Sequence, residues 1–284
     1  MLFPSRRDLL SETIYLLRKY GVRPKKKLSQ NFIVSPRLLR RIVHEVSKEK
    51  PHVTLEIGSG LGTLTKYLAH VSKKVIAIEI DEKLVRISEE VLRNYSNVEI
   101  IVGDFLEHYK LFREVDVIVS NVPYHISSKL LFTLSEMAFK KAVLTLQREF
   151  ASRLFAKPGT QDYSRLTVMA NVYFTIQKVF EVGPYAFYPP PKVSSTLITL
   201  TRKEYSLPVD PSFFDRIVRI LFTSKNRVVE SVLKNASSHG LIKFGFEEAK
   251  KLKSILRKRV KELTLGEIVE IAKVLHEANR EIKP

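Results

Sequence analysis

The feature that most constrains this chain is an alternation running from residue 53 to residue 146. Short β-branched or apolar runs, Val53–Ile57, Lys74–Glu79, Val98–Val102, Val115–Ser120 and Ala142–Leu146, are separated by helical stretches near 62–71, 82–93 and 127–138. Runs this short and this apolar suit strands buried on both faces, and helices between them supply the crossovers that parallel neighbours need. The expected fold class is therefore α/β, a parallel sheet with helices on both faces. Ahead of it, Leu9, Leu10, Ile14, Leu16 and Leu17 fall at helical spacing over 8–20, and Gly21 with Pro24 ends that segment. A basic loop leads to Gln30-Asn31-Phe32, and Ser35-Pro36 opens a helix over 36–47 as N-cap and first-turn residue.

After 146 the pattern loosens. Helices are expected near 147–156 and 164–172 around a polar loop, Lys157–Tyr163. Strand-like Phe174–Val182, a proline-rich aromatic loop over 183–191 and strand Ser195–Thr201 follow. Leu207-Pro208 and Asp210-Pro211 mark a junction, beyond which Phe213–Phe222, Val228–Asn235, Phe246–Leu256 and Leu265–Ala278 read as helices. The expected division is a catalytic domain over 1–204, with a helical and basic extension over 1–34, and a small all-helical domain over 205–284.

Charge points to the partner. Lys and Arg number 48 against 30 Asp and Glu, a net +18, which favours a polyanion through counterion release and long-range steering. The excess is spread: residues 203–284 carry 17 basic and 11 acidic groups, so both parts can touch nucleic acid. Clusters stand at Arg23, Lys25, Lys26 and Lys27, and at Lys250, Lys251, Lys253, Arg257, Lys258, Arg259 and Lys261; the second can equally be the solvated face of a helix. The absence of cysteine excludes disulfides, zinc-thiolate sites and cysteine nucleophiles. No apolar run is long enough to span a bilayer and none reads as a signal peptide, so a cytosolic location without membrane attachment is expected.

Chemistry gathers at the carboxyl ends of the strands. Glu56-Ile57-Gly58-Ser59-Gly60-Leu61-Gly62-Thr63 closes the first strand and opens a helix, a turn that lets a ligand approach the backbone closely. Thr63 stands where a dinucleotide fingerprint requires glycine, and Glu56 suits a ligand with an ammonium and a sulfonium better than one with a pyrophosphate. Glu79, followed by Ile80, ends the second strand at the spacing at which a carboxylate accepts from a ribose diol. Asp104-Phe105 ends the third, where a carboxylate can accept from an adenine amine and an apolar neighbour can cover the ring. Each acidic residue can also be a helix N-cap, as Asp81 before Glu82.

Asn121-Val122-Pro123-Tyr124 follows the fourth strand. An exocyclic amine conjugated to a ring is a poor nucleophile. Two acceptors, the Asn121 side-chain oxygen and a nearby main-chain carbonyl, can take its N–H groups and direct the lone pair outward while Tyr124 stacks on the ring. Plain turn chemistry and packing account for the same residues equally well. Taken in order, the glycine turn, Glu79, Asp104 and Asn121-x-Pro-Tyr124 resemble a Rossmann-like class I methyltransferase site, with S-adenosyl-L-methionine beside a target amine.

Three further segments narrow this. Lys27 to Phe32, the run from Gln147-Arg148-Glu149 to Ser164-Arg165-Leu166, and Phe187-Tyr188-Pro189-Pro190-Pro191-Lys192-Val193-Ser194-Ser195 resemble the ribosomal RNA adenine dimethyltransferases of the kasugamycin-resistance type, over roughly residues 25–202. That resemblance implies S-adenosylmethionine-dependent conversion of two adjacent adenosines near the 3′ end of small-subunit ribosomal RNA to N6,N6-dimethyladenosine, by a monomer linked to ribosome biogenesis. It implies a cofactor site of Gln30, Asn31, Phe32, Glu56, Gly58, Gly60, Glu79, Ile80, Asp104, Phe105 and Asn121, with Asn31 and Gly58 at the methionine end, Glu79 at the ribose and Asp104 with Phe105 at the adenine. It gives Asn121, Pro123 and Tyr124 to the target base, with Phe187 as a second aromatic opposite Tyr124. Ser59 replaces a commoner proline and Val122 a commoner leucine. An erythromycin-resistance-type enzyme acting on large-subunit RNA, a non-catalytic ribosome-assembly factor and a nicotinamide dehydrogenase are the rival readings.

Overall fold

The computed structural model describes residues 3–204 and 207–279. It divides into two compact units, 1–151 with 175–202, and 152–174 with 203–284. The division differs from the expected 204/205 boundary by the segment 152–174. That segment is joined to the C-terminal helices by two hydrogen bonds: the Tyr163 hydroxyl, buried, donates to the Leu263 carbonyl at 2.8 Å and the Gly159 amide to the Lys261 carbonyl at 2.7 Å.

In the first unit α1 (Arg6–Lys19) opens on a capping box between Ser5 and Asp8. It buries Leu9, Leu16 and Leu17. The strand β1 (Phe32–Ile33) precedes α2 (Pro36–Ser47), whose Ser35 N-cap accepts from the Leu38 amide at 3.3 Å. Its stripe Leu38, Leu39, Ile42, Val43 and Val46 is buried, each side chain worth roughly 1.5–3 kcal/mol. The alternation follows: β2 (Val53–Ile57), α3 (Thr63–Ala69), β3 (Lys74–Glu79), α4 (Glu82–Leu92), β4 (Val98–Val102), α5 (Phe105–His108), β5 (Val117–Asn121), α6 (Ser127–Ser135), β6 (Lys141–Gln147) and α7 (Arg148–Leu154). After α8 (Arg165–Tyr173), which belongs to the second unit, come β7 (Phe174–Val182), β8 (Phe187–Tyr188) and β9 (Ser195–Arg202).

One seven-stranded sheet has the order β4-β3-β2-β5-β6-β9-β7. The pairs among β2 to β6 are parallel, and β9 runs antiparallel to β6. The chain winds outward from β2 through β3 to β4, then returns to β5 on the other side of β2. That reversal opens a crevice beyond the carboxyl ends of β2 and β5, the usual ligand position in an open α/β sheet. The Ser120 hydroxyl, buried, donates to the Ile57 carbonyl at 2.8 Å and ties the two ends together. Strand β5 begins two residues later than the expected 115; just ahead of it Asp116 gives its carboxylate to the amides of His52 and Val53, at 2.8 and 3.0 Å. A separate two-stranded ladder pairs β1 with β8, Phe32 opposite Tyr188 and Ile33 opposite Phe187.

The second unit contains α9 (Pro211–Phe222), α10 (Val229–Ser238), α11 (Phe246–Lys251) and α12 (Leu265–Ala278), around Phe214, Ile217, Leu221, Leu233, Ile271 and Leu275. The helix expected over 246–256 stops at Lys251. A competing backbone pairing wins there: the Val229 amide bonds the Lys258 carbonyl at 2.9 Å and the Val260 amide the Arg227 carbonyl at 3.0 Å. Of the basic cluster, Lys250, Lys251, Lys253, Arg257 and Arg259 are exposed. Among the described residues no helix is long and apolar enough to cross a membrane.

Candidate active site

An open cleft lies at the crevice and is lined by Gln30, Asn31, Phe32, Gly58, Gly60, Glu79, Ile80, Asp104, Phe105, Asn121 and Pro123. A smaller recess shares Asn31, Phe32, Gly58, Gly60 and Asn121 with it and adds Glu56 and Ser59. Every residue expected at the cofactor end therefore borders one hollow or the other.

The glycine turn is shaped for close approach. Gly58, Gly60 and Gly62 all have positive φ, at 77°, 58° and 77°, and a Cβ on Gly58 would meet nothing within 4 Å, so its backbone opens onto free space. Glu79 holds the turn: one carboxylate oxygen accepts from the Gly60 amide at 2.9 Å and the other from the Asp81 amide at 3.0 Å. Burial raises its pKa, and those amides oppose the rise. Asp104 caps α5 by accepting from the Leu106 amide at 2.9 Å, and Phe105 is buried beside it.

Glu56 is 2% exposed. Burial pushes its pKa up to about 8; the nearby Thr65 hydroxyl works the other way and the Glu79 carboxylate adds to the rise. Its Oε2 and the Ser59 hydroxyl, both buried, have no hydrogen-bond partner among the described residues. A buried carboxylate oxygen without a partner is costly, and a cationic ligand group in the recess would complete it.

Asn121 ends β5 in register with Thr145 of β6. Its Nδ2 donates to the Asn31 carbonyl at 2.8 Å. A carbonyl only accepts, so the amide cannot be turned round, and Oδ1 is the atom left to receive a donor. The Asn-Val-Pro-Tyr turn is held by the Val122 amide on the Thr145 carbonyl at 3.1 Å and the Ile126 amide on the Pro123 carbonyl at 3.0 Å. Tyr124 does not itself line the cleft, although Pro123, His125 and Ile126 around it do. Its ring is half-buried, and its hydroxyl shares a hydrogen bond with the Ser195 hydroxyl at 3.0 Å.

Phe187 departs from expectation. It lies in β8 opposite Ile33, 2% exposed, within the apolar core that contains Val34, Leu38 and Leu39, and it faces neither hollow. The ladder with β1 draws its ring inward, into the core and away from both hollows. Phe187→Ala is expected to cost about 3–5 kcal/mol of stability, seen as a lower melting temperature, and a variant with unchanged melting but lost turnover would return the residue to the site.

Residues that sequence reading passed over complete the picture. Ser29 and His125 also line the cleft, 3.4 Å apart between hydroxyl and ring nitrogen. Asp81 does more than cap α4: its Oδ2 accepts from the Gln30 amide at 2.9 Å and meets the Lys25 ammonium at 2.7 Å. Burial alone would raise its pKa, but Lys25 and Gln30 outweigh that and hold the carboxyl below its ordinary value. These are contacts between segments far apart in the chain, and no local spacing signals them.

The family model for ribosomal RNA adenine dimethylases matches residues 21–277. A probable ribosomal RNA small subunit methyltransferase A from Methanopyrus kandleri is 42% identical over 221 residues, which are 77% of this chain and 79% of the relative. Its counterpart from Pyrococcus abyssi is 38% identical over 93% of this chain and 96% of the relative. A crystal structure of a dimethyladenosine transferase from Plasmodium falciparum superposes with a TM-score of 0.75 at 30% identity, covering 84% of this chain and 95% of that one. With the model spanning nearly the whole chain and the crevice carrying its glycine turn, its paired carboxylates and its fixed amide, this protein belongs to the ribosomal RNA adenine dimethylase family.

Proposed function

We propose that this chain transfers methyl groups from S-adenosyl-L-methionine to N6 of two adjacent adenosines near the 3′ end of small-subunit ribosomal RNA. The observation that carries the reading is the fixed orientation of Asn121: its amide hydrogens face the Asn31 carbonyl, and its oxygen is left as an acceptor at the carboxyl end of β5 beside the cleft.

The donor set fits the cofactor. Glu56, a carboxylate whose Oε2 has no partner among the described residues, suits an ammonium, with Asn31 and the Gly58 backbone around the methionine end. Glu79 suits a ribose diol, and Asp104 with Phe105 and Ile80 an adenine. When bound, S-adenosylmethionine supplies an electrophilic methyl on a sulfonium centre.

The protein's own contribution is positioning. Asn121 Oδ1 and a main-chain carbonyl of the Val122-Pro123 turn take the two N–H groups of the target amine, which pulls its lone pair out of conjugation and aims it. Tyr124, tethered through Ser195, gives a rigid aromatic neighbour to that amine. Once methylated, the nitrogen is strongly acidic and loses its proton to water or a carbonyl, so a neutral amide serves better than a general base. The exposed lysines and arginines of both units supply the counterion-releasing surface for the RNA.

The test is tritiated methyl transfer into isolated small and large subunits lacking the modification, with nucleoside analysis of the product. N6,N6-dimethyladenosine in small-subunit RNA is expected; label confined to large-subunit RNA, or none in either, overturns the proposal.

A further inference from the structure

We infer that Asp81 is a positioning residue for methyl transfer, acting on Asn121 through the segment 25–31. The inference deepens the proposed function and rests on it. Asp81 is 5% exposed and divides its two oxygens between two tasks. Oδ1 caps α4 through the Lys83 amide at 3.3 Å. Oδ2 takes the Gln30 side-chain amide at 2.9 Å and the Lys25 ammonium at 2.7 Å. Gln30 in turn accepts from the Lys25 amide at 2.7 Å through its own side-chain oxygen, so one carboxylate oxygen clamps both ends of the turn that spans them.

Asn31 is the next residue. It is suspended between two anchors, Gln30 on Asp81 and Phe32 in its ladder with Tyr188. Its carbonyl is the group that fixes the Asn121 amide at 2.8 Å. Releasing the first anchor lets that carbonyl shift, and the Asn121 amide then loses the acceptor that distinguishes its two ends. A misaligned acceptor affects the transferring complex directly, because positioning is the main catalytic effect available here.

The substitution Asp81→Asn isolates this task. Asparagine is as good an N-cap as aspartate, so α4 keeps its cap. The new amide presents hydrogens to the hydrogens of Gln30 and to the Lys25 ammonium, so the clamp is lost. The companion change Gln30→Glu reverses the polarity: the carboxylate it introduces accepts from the new amide, pairs with the Lys25 ammonium, and still accepts the Lys25 backbone amide.

In small subunits lacking the modification and with saturating S-adenosylmethionine, Asp81→Asn is expected to lower kcat about tenfold, and adding Gln30→Glu to restore it to within about threefold of the parent. Wild-type kcat in Asp81→Asn, or no recovery in the double variant, overturns the inference. Failure of the parent protein to methylate either subunit sinks the proposed function instead, so the two failures are told apart. The melting temperature separates the two causes: Asp81→Asn is expected to stay folded at the assay temperature, and a variant that has lost turnover because it is unfolded there overturns the inference.

Discussion

Replacing Asn121 with alanine is expected to lower kcat for methyl transfer by about 10²–10³-fold while changing the affinity for S-adenosylmethionine by no more than about threefold. The amide is one of the two acceptors proposed to rehybridise the target amine, whereas the cofactor is assigned to Glu56, Glu79, Asp104 and the glycine turn. The loss should therefore appear in kcat and leave binding, followed by calorimetry, nearly intact. Asn121→Asp is expected to fail in the same assay although it keeps an acceptor. A carboxylate has no hydrogen for the Asn31 carbonyl, so it would set oxygen against oxygen where Nδ2 now sits at 2.8 Å. Near-parental turnover in either variant would remove Asn121 from the mechanism.

The second large effect concerns Glu56. With its folded-state pKa at about 8 against an ordinary 4.5, the folded chain keeps a proton that the unfolded chain releases. The contribution of this group to stability is complete below pH 4.5 and is lost as pH rises through about 8, on the order of a few kcal/mol in all. Glu56→Gln removes the titration, so between pH 6 and 9 the variant's melting temperature should fall less than the parent's. Binding gives the complementary signal. An ammonium beside Glu56 favours the ionised form, so at pH 7 cofactor binding should expel close to one proton, read by calorimetry in buffers of different ionisation enthalpy. Glu56→Gln should abolish that release and weaken binding at least about tenfold. Binding without proton release in the parent would place the cationic group elsewhere.

The sheet was legible because its strands are short, apolar and separated by amphipathic helices; Lys74–Glu79 and Val98–Val102 fall where the pattern puts them. Glycines and carboxylates at strand ends mark themselves, and the residues they single out border the two hollows. What escaped has a common cause in contacts between distant segments. The pairing of Phe32 with Tyr188 involves two residues on each side and leaves no periodicity. It buries Phe187, which motif resemblance alone places at the base. The second task of Asp81 hides behind its first, because an N-cap already accounts for an aspartate before a helix. Leu252, Ile255 and Leu256 keep helical spacing in a stretch where pairing with 227–229 bends the backbone into turns.

The ladder between Phe32 and Tyr188 also sets an order of events during synthesis. One wall of the cleft is translated almost at once, yet the strand that steadies it emerges only well past the midpoint of the chain. Closing so long a loop precedes any reward from the contact. A nascent polypeptide can thus assemble β2, β3 and β5 while Phe32 and Ile33 still lack the strand they pair with, so this wall of the cleft is completed late in maturation.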